Sequence, residues 1–319
     1  MKAIIFGVSG QDGSYLAKLL IQKGYTIFGV SRSALNINFV NHLKLGIQDQ
    51  INYFSVALND YDSVFGLIMK IQPSEIYNLA GQSSVAISFK QPLETIESIS
   101  FVTLNILESI RMSQLPIKFY SAGSSECFGN ISSAVNEETP FRPRSPYGVA
   151  KAACYLEVAN YREVYKIFSC TGILFNHESP LRKENFVAKK IVSTACRIAC
   201  GSNEKLSLGN INIIRDWGWA PEYVESMWLM LQQNYADDFI IATGQAMSLK
   251  QFIIYVFDCF NFDWEEYVVF EDSLMRSEDV ISIFADTSKA KNKLNWHAKI
   301  KGEILIEKMI ECEMNLLYE

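Results

Sequence analysis

No run of apolar residues in this sequence approaches the roughly 20 that a membrane-spanning helix needs. The opening stretch Met1 to Phe6 is halted by Gly7, too soon for a secretory leader. An excess of positive charge is also missing: 29 Lys and Arg against 35 Asp and Glu leave a net charge of −6, which argues against a nucleic-acid partner. None of the seven cysteines (127, 154, 170, 196, 200, 259, 312) belongs to a Cys-x-x-Cys pair, and their number is odd. They read as reduced thiols of a cytoplasmic protein, with neither a disulfide framework nor a metal site. No internal repeat or low-complexity segment appears. What is left is a soluble protein of the cytoplasm with no membrane and no nucleic acid among its partners.

What is present is enough for a full core: 319 residues, 49% of them hydrophobic, suit one large α/β unit with a smaller lobe. The chain is organised around Gly7-Val8-Ser9-Gly10-Gln11-Asp12-Gly13. An apolar run precedes these glycines, and Tyr15 to Leu20 at helical spacing follows them. Strand, tight turn and helix in that order are the context in which a glycine-rich loop cradles a dinucleotide pyrophosphate at a helix N-terminus. Thr26 to Val30 reads as the second strand. An Asp or Glu at its end would bond a ribose 2′-hydroxyl, but the chain has Ser31-Arg32-Ser33. An Arg there suits a 2′-phosphate, so NADP is the expected cofactor.

Further strands are expected at Ile51–Val56, Glu75–Ala80, Lys118–Ser121 and Phe168–Ile173, and helices at 61–71, 95–113 and 147–165. This alternation implies right-handed β-α-β crossovers, hence a Rossmann-type doubly wound parallel sheet, with ligands beyond the carboxyl ends of its strands. Asn176 to Pro180 reads as a loop. Beyond it the alternation weakens, with helices near 185–200, 221–233, 248–260, 287–294 and 302–316. The expected division is a dinucleotide-binding domain over 1–175, joined by part of 211–245, and a smaller mixed α/β substrate lobe mainly over 176–319.

Ser145-Pro146-Tyr147-Gly148-Val149-Ala150-Lys151 puts Tyr147 and Lys151 on one helix face at i and i+4. Such a pair suits a phenol that trades a proton near neutral pH. A free phenol titrates near 10. A unit positive charge ~4 Å away contributes on the order of 4 kcal/mol at an effective dielectric near 20, or roughly three pKa units. Ser124-Ser125-Glu126 lies about twenty residues upstream. The remaining histidines, His42 and His297, have no such context.

Here the chain resembles the extended short-chain dehydrogenase/reductases, and within them the GDP-mannose 4,6-dehydratases. The resemblance runs nearly end to end. It is carried by GVSGQDGSYLAKLL (7–20), IYNLAGQSSVAISF (76–89), SSE (124–126), FRPRSPYGVAK (141–151), NYRE (160–163), GILFNHESPLR (172–182), LGN with RDWG (208–218) and WLMLQQ (228–233). It implies that Tyr147 takes the proton from the sugar 4-hydroxyl as hydride leaves C4, assisted by Lys151. Glu126 would remove the C5 proton. Ser124, where the family usually has Thr, would help the C6 hydroxyl depart as water. The product would be a 4-keto-6-deoxy sugar.

The same resemblance assigns Gly7, Ser9, Gly10, Gln11, Asp12, Gly13, Arg32, Leu58, Leu79, Ala80, Gln82, Ser83, Tyr147, Lys151, His177 and Arg182 to NADP. It assigns Ser84, Glu126, Asn176, Lys190, Arg215, Arg276 and Glu278 to the GDP-sugar. The residue types suit these duties, since Arg and Lys neutralise a diphosphate and a carboxylate accepts from ribose hydroxyls. The chain departs from the family at Ala57, which replaces an adenine-contacting Asp, and over Ser33 to Leu43, unlike the loop through which family tetramers share cofactor contacts. A homodimer or homotetramer is expected, partly because the resemblance implies one and partly because helix 95–113 is apolar on more than one face. Alternatives are a GDP-heptose dehydratase, a GDP-4-keto-6-deoxysugar reductase or epimerase, and a binding-only dinucleotide sensor. Glu126 speaks against the reductase, and the intact Tyr147–Lys151 pair against the sensor.

Overall fold

The computed structural model describes residues 1–31, 39–131, 133–274 and 280–318. Arg32, Arg276 and Glu278 therefore lie outside the described residues.

The central sheet has seven strands: β1 (Lys2–Phe6), β2 (Thr26–Ser31), β3 (Ile51–Ser55), β4 (Glu75–Asn78), β5 (Lys118–Ala122), β6 (Ser169–Leu174) and β7 (Phe239–Ile241). Their order is β7-β6-β5-β4-β1-β2-β3 and every pairing is parallel. Strand β1 shows why both sides need cover. Ala3 and Ile5 point to one face and Ile4 and Phe6 to the other, and all four are fully buried. On the first face they meet Leu16 and Leu20 of helix Gln11–Gln22, and Val224 and Met227 of helix Ala220–Leu231. On the second they meet Val64 and Ile68 of helix Tyr61–Ile71, Ile106 and Leu107 of helix Val102–Ser113, and Val158 of helix Pro146–Tyr165. This is the doubly wound Rossmann-type architecture.

A second core lies beneath helices Val187–Ala199, Leu249–Asp258 and Gly302–Tyr318, around Trp217, Trp219, Phe252 and Ile306. The strand Ile214–Trp219 runs parallel to Asn176–Glu178 and antiparallel to Ala246–Ser248, and Leu206–Leu208 pairs with Val268–Phe270. Buried Asp216 fixes the return to the sheet by accepting from the backbone N–H groups of Thr243 (3.0 Å) and Gly244 (2.8 Å).

Three sequence expectations need correction. Asn176–Glu178 is a short strand rather than loop, because Trp217–Trp219 supplies a partner some forty residues away. The helix expected over 95–113 starts at Pro92, passes through a π-helical turn at Glu97–Phe101 and resumes over Val102–Ser113. Val40–Leu45 forms a helix where none is expected. Among the described residues no helix is long and apolar enough to cross a membrane, and all seven cysteines are free.

Candidate active site

The glycine loop is shaped by contacts that exclude side chains. Gly7 has φ +83°, and a Cβ there would sit 2.6 Å from the Leu79 carbonyl oxygen. At Gly13 a Cβ would lie 2.3 Å from the Gly7 carbonyl oxygen. Only glycine lets the first turn of helix Gln11–Gln22 press against the strand it follows. Gly10, the N-cap, is exposed and no side chain caps the helix there. Bare backbone at an uncapped helix N-terminus fits a pyrophosphate.

A cavity of about 350 Å³ opens just past the carboxyl ends of β4, β5 and β6. Ser124 and Glu126 enter it on a short 3-10 turn after β5, where the Ser124 hydroxyl accepts from the Glu126 N–H at 3.3 Å. Tyr147 and Lys151 come from the opposite wall. Their helix starts where Ser145 caps the Gly148 N–H at 3.0 Å and Pro146 takes the first helical position. Lys151 is buried and donates to the Ala122 carbonyl at 2.6 Å, which ties the helix to the end of β5. Its ammonium lies 5.9 Å from the Tyr147 ring centroid. That helix and the 3-10 turn touch directly at Gly148, where a Cβ would lie 2.7 Å from the Glu126 carbonyl oxygen. From the second core, buried Arg215 brings its guanidinium to 4.0 Å from the Glu126 carboxylate.

Of the residues expected at the site, the cavity wall also brings together Asp12, Leu79, Ala80, Gln82, Ser83, Ser84, Asn176, His177, Arg182 and Lys190. Gly7, Ser9, Gly10, Gln11 and Gly13 form the loop behind it rather than its lining, and Leu58 is buried beyond β3 with its carbonyl bonded to Asn105 Nδ2 at 3.0 Å. Ser84 caps the short helix Val85–Lys90, and Lys190 donates to the Ser207 carbonyl at 2.6 Å. The far wall adds residues that sequence reasoning missed: Asn185, Phe186, Asn210, Trp217 and Leu249. Asn210 and Trp217 sit in the LGN and RDWG motifs, a signal that the sequence does carry, whereas nothing local marks Asn185, Phe186 and Leu249, which reach the cavity only when the second core folds over the sheet.

One polar network ties the two sides together. His177 Nε2 lies 2.9 Å from Asp12 Oδ2, and Nδ1 lies 2.7 Å from the Phe175 carbonyl oxygen. Both partners are acceptors, so both ring nitrogens must carry protons and His177 is an imidazolium. Gln11 donates to Asp12 (3.0 Å) and to the His177 carbonyl (3.2 Å), and accepts from Ser179 at 2.8 Å. Burial pushes Asp12 up, but the charge and hydrogen bond of His177 outweigh it and hold the carboxyl below its usual value. Burial likewise disfavours charged His177, and Asp12 reverses this, so its pKa is raised. Arg182, 3.5 Å from Glu178 and 3.6 Å above the Phe186 ring, borders the network.

A Rossmann-type sheet, a glycine loop at a helix N-terminus, and a Ser–Glu–Tyr–Lys set at the strand ends form the arrangement that the resemblance to the extended short-chain dehydrogenase/reductases implies. The chain matches the family described as "GDP-mannose 4,6 dehydratase" over residues 4–309. It is 40% identical over 326 residues to GDP-mannose 4,6 dehydratase 1 of Arabidopsis thaliana, covering 98% of this chain and 90% of that protein. This chain belongs to the GDP-mannose 4,6-dehydratase family, whose members are hydro-lyases. Its fold is shared with UDP-glucose 4-epimerase of Thermotoga maritima (TM-score 0.88, 21% identity, 99% of this chain and 100% of that one). It is shared also with dTDP-glucose 4,6-dehydratase of Bacillus anthracis, solved with NAD (TM-score 0.86, 16% identity, 99% and 97%).

Proposed function

We propose that the protein dehydrates GDP-mannose to GDP-4-keto-6-deoxymannose with NADP as its cofactor. The observation that carries this reading is the placement of Glu126 between the Tyr147–Lys151 helix and Arg215. An enzyme that only moves hydride has no use for a carboxylate there. The dinucleotide, held by the loop Gly7–Gly13 and the strand-end residues Leu79, Ala80, Gln82 and Ser83, supplies a hydride acceptor at the start of turnover and a donor at its end. Tyr147 takes the proton of the sugar 4-hydroxyl, and Lys151 stabilises the phenolate this requires. Glu126 takes the C5 proton, which the adjacent ketone has made acidic. Ser124 hydrogen-bonds the C6 hydroxyl, which departs as water with the proton that Glu126 took from C5. Ser84, Asn176, Lys190, Arg215, Arg276 and Glu278 bind the GDP-sugar. Residues 1–175, with the segment of 211–245 that returns to them, hold the cofactor, and 176–319 mainly hold the substrate.

The preference for NADP rests on Arg32 and the absence of an acid after β2. The enzyme acts in the cytoplasm, in keeping with seven free thiols. It is a homo-oligomer built on two adjacent helices that expose apolar side chains: Leu93, Phe101 and Met112 on one, Val149, Leu156 and Val164 on the other. Incubation with GDP-mannose and NADP tests the activity. A product lighter by the mass of one water supports it; no mass loss from GDP-mannose, or a product heavier by two hydrogens from a 4-keto sugar, refutes it. Tighter binding of NAD than of NADP by the wild type, or no loss of NADP affinity in Arg32→Ala, refutes the cofactor assignment.

A further inference from the structure

We infer that His42 and Asn41, together with Tyr53, are positioning residues that hold the carbonyls of the dinucleotide loop turned away from the cofactor. The inference rests on the reading of Gly7–Gly13 as a dinucleotide loop. An anion is bound at such a loop by N–H groups, and any carbonyl swung toward it repels it. Each carbonyl from Gly7 to Gly10 is held by a donor within the protein. Gly7 O accepts from the Gly10 N–H at 3.1 Å, and Gly10 O from the Ser14 N–H at 3.0 Å and the Ser14 hydroxyl at 2.7 Å. These two belong to the loop and its own helix. The two between them are held from a separate element, the helix Val40–Leu45: Asn41 Nδ2 donates to Ser9 O at 3.1 Å, and His42 Nε2 lies 2.9 Å from Val8 O, nearer than the Ser14 hydroxyl that also reaches Val8 O at 3.3 Å. The Val8–Ser9 peptide is planar and trans, so fixing its carbonyl on His42 fixes the Ser9 N–H in the opposite direction.

His42 is equipped for this single duty. It is fully buried. Its Nδ1 lies 3.0 Å from the Tyr53 hydroxyl, and burial pushes that phenol up to about 12, so it keeps its proton and can donate. With Nδ1 occupied as an acceptor, the proton of the neutral ring belongs on Nε2, facing Val8 O. Burial lowers the pKa of His42 and keeps the ring neutral, although the Val8 bond works the other way. Phe39 stacks on Tyr53 (centroids 4.2 Å) and on His42 (5.1 Å), which sets the plane of both rings. His42 thus differs from His177, whose two nitrogens both face acceptors.

The test is NADP titration by calorimetry on the full chain freed of copurified nucleotide, with thermal melting and steady-state assays on the same samples. In His42→Leu the dissociation constant for NADP should rise on the order of tenfold. The loss should fall on the NADP concentration that half-activates the enzyme rather than on kcat. His42→Gln, which can donate to Val8 O and accept from Tyr53, should recover most of the affinity; a merely space-filling role would favour Leu over Gln. Wild-type affinity in His42→Leu overturns the inference, as does a Gln variant no better than Leu. If His42→Leu does not fold, Asn41→Ala, at a half-buried position, decides: weaker NADP binding supports the inference, and an unchanged dissociation constant overturns it. A wild type that binds neither NADP nor NAD would instead refute the dinucleotide reading itself, and this inference with it.

Discussion

Gly148→Ala is a one-carbon perturbation aimed at the joint between the two halves of the catalytic set. In a helix, Gly to Ala ordinarily stabilises by about 1 kcal/mol. Gly148 has an ordinary helical backbone, so strain in φ does not enter. The added carbon, however, would lie 2.7 Å from the Glu126 carbonyl oxygen and 3.1 Å from Pro143 Cβ, where ordinary contact begins at 3.4 Å. The turn or the helix must therefore yield by about 0.7 Å, and the nearer obstacle is backbone rather than a rotatable side chain. Overpacking of this kind costs about 1–3 kcal/mol, enough to reverse the helical gain. The displacement separates Glu126 from Tyr147, the two groups that in the proposed reaction reach neighbouring carbons of one sugar. A shift near 1 Å costs on the order of 10²-fold in rate, so turnover should fall roughly 10- to 100-fold with a smaller change in KM. Gly66→Ala is the control: Gly66 is exposed in the middle of helix Tyr61–Ile71, nothing lies within 4 Å of its Cβ position, and stability should rise by about 0.5–1 kcal/mol with kcat unchanged. Melting curves and kcat on the two variants give the answer. A Gly148→Ala enzyme as stable and fast as the wild type refutes the claim that this contact sets the spacing.

The Asp12–His177 pair should be visible in the pH dependence of stability. Because the pKa of His177 is raised in the folded state, its contribution is full below 6.5 and is lost as pH rises through the higher folded value. Because that of Asp12 is lowered, its contribution is full above 3.8 and is lost as pH falls through the lower folded value. Asp12→Asn should flatten the decline of melting temperature on the alkaline side, and an unaltered slope contradicts the pairing. At the proposed interface, Phe101→Glu places charge on a 57% exposed aromatic and should shift sedimentation toward the monomer; a wild type already monomeric at micromolar concentration refutes the oligomer.

The parts of the site legible in the sequence are those that local spacing dictates. The glycine loop is bounded by a buried strand and an amphipathic helix, and Tyr147 and Lys151 share a helix face wherever that helix lies. Ser145 and Pro146 even mark its first turn. What could not be read depends on distant partners. Asn176–Glu178 becomes a strand only because Trp217–Trp219 lies beside it. The π-helical turn at Glu97–Phe101 leaves Ile99 against Gly81, where a Cβ would come within 2.8 Å of the Ile99 side chain. Helix Val40–Leu45 carries no apolar period, and its place is set by buried His42 reaching Val8 and Tyr53. Asn185 and Phe186 line the cavity only once the second core has packed.

In the proposed reaction Glu126 is the base that makes this site a dehydratase. Glu126→Gln keeps the size and hydrogen bonding of the side chain and removes its basic oxygen. In deuterated solvent with GDP-mannose and NADP, the wild type should place deuterium at C5 of the sugar. The variant should do so about 10²–10⁴-fold more slowly while binding the nucleotide sugar nearly as well. Deuterium entering C5 at the wild-type rate in Glu126→Gln would contradict the assignment.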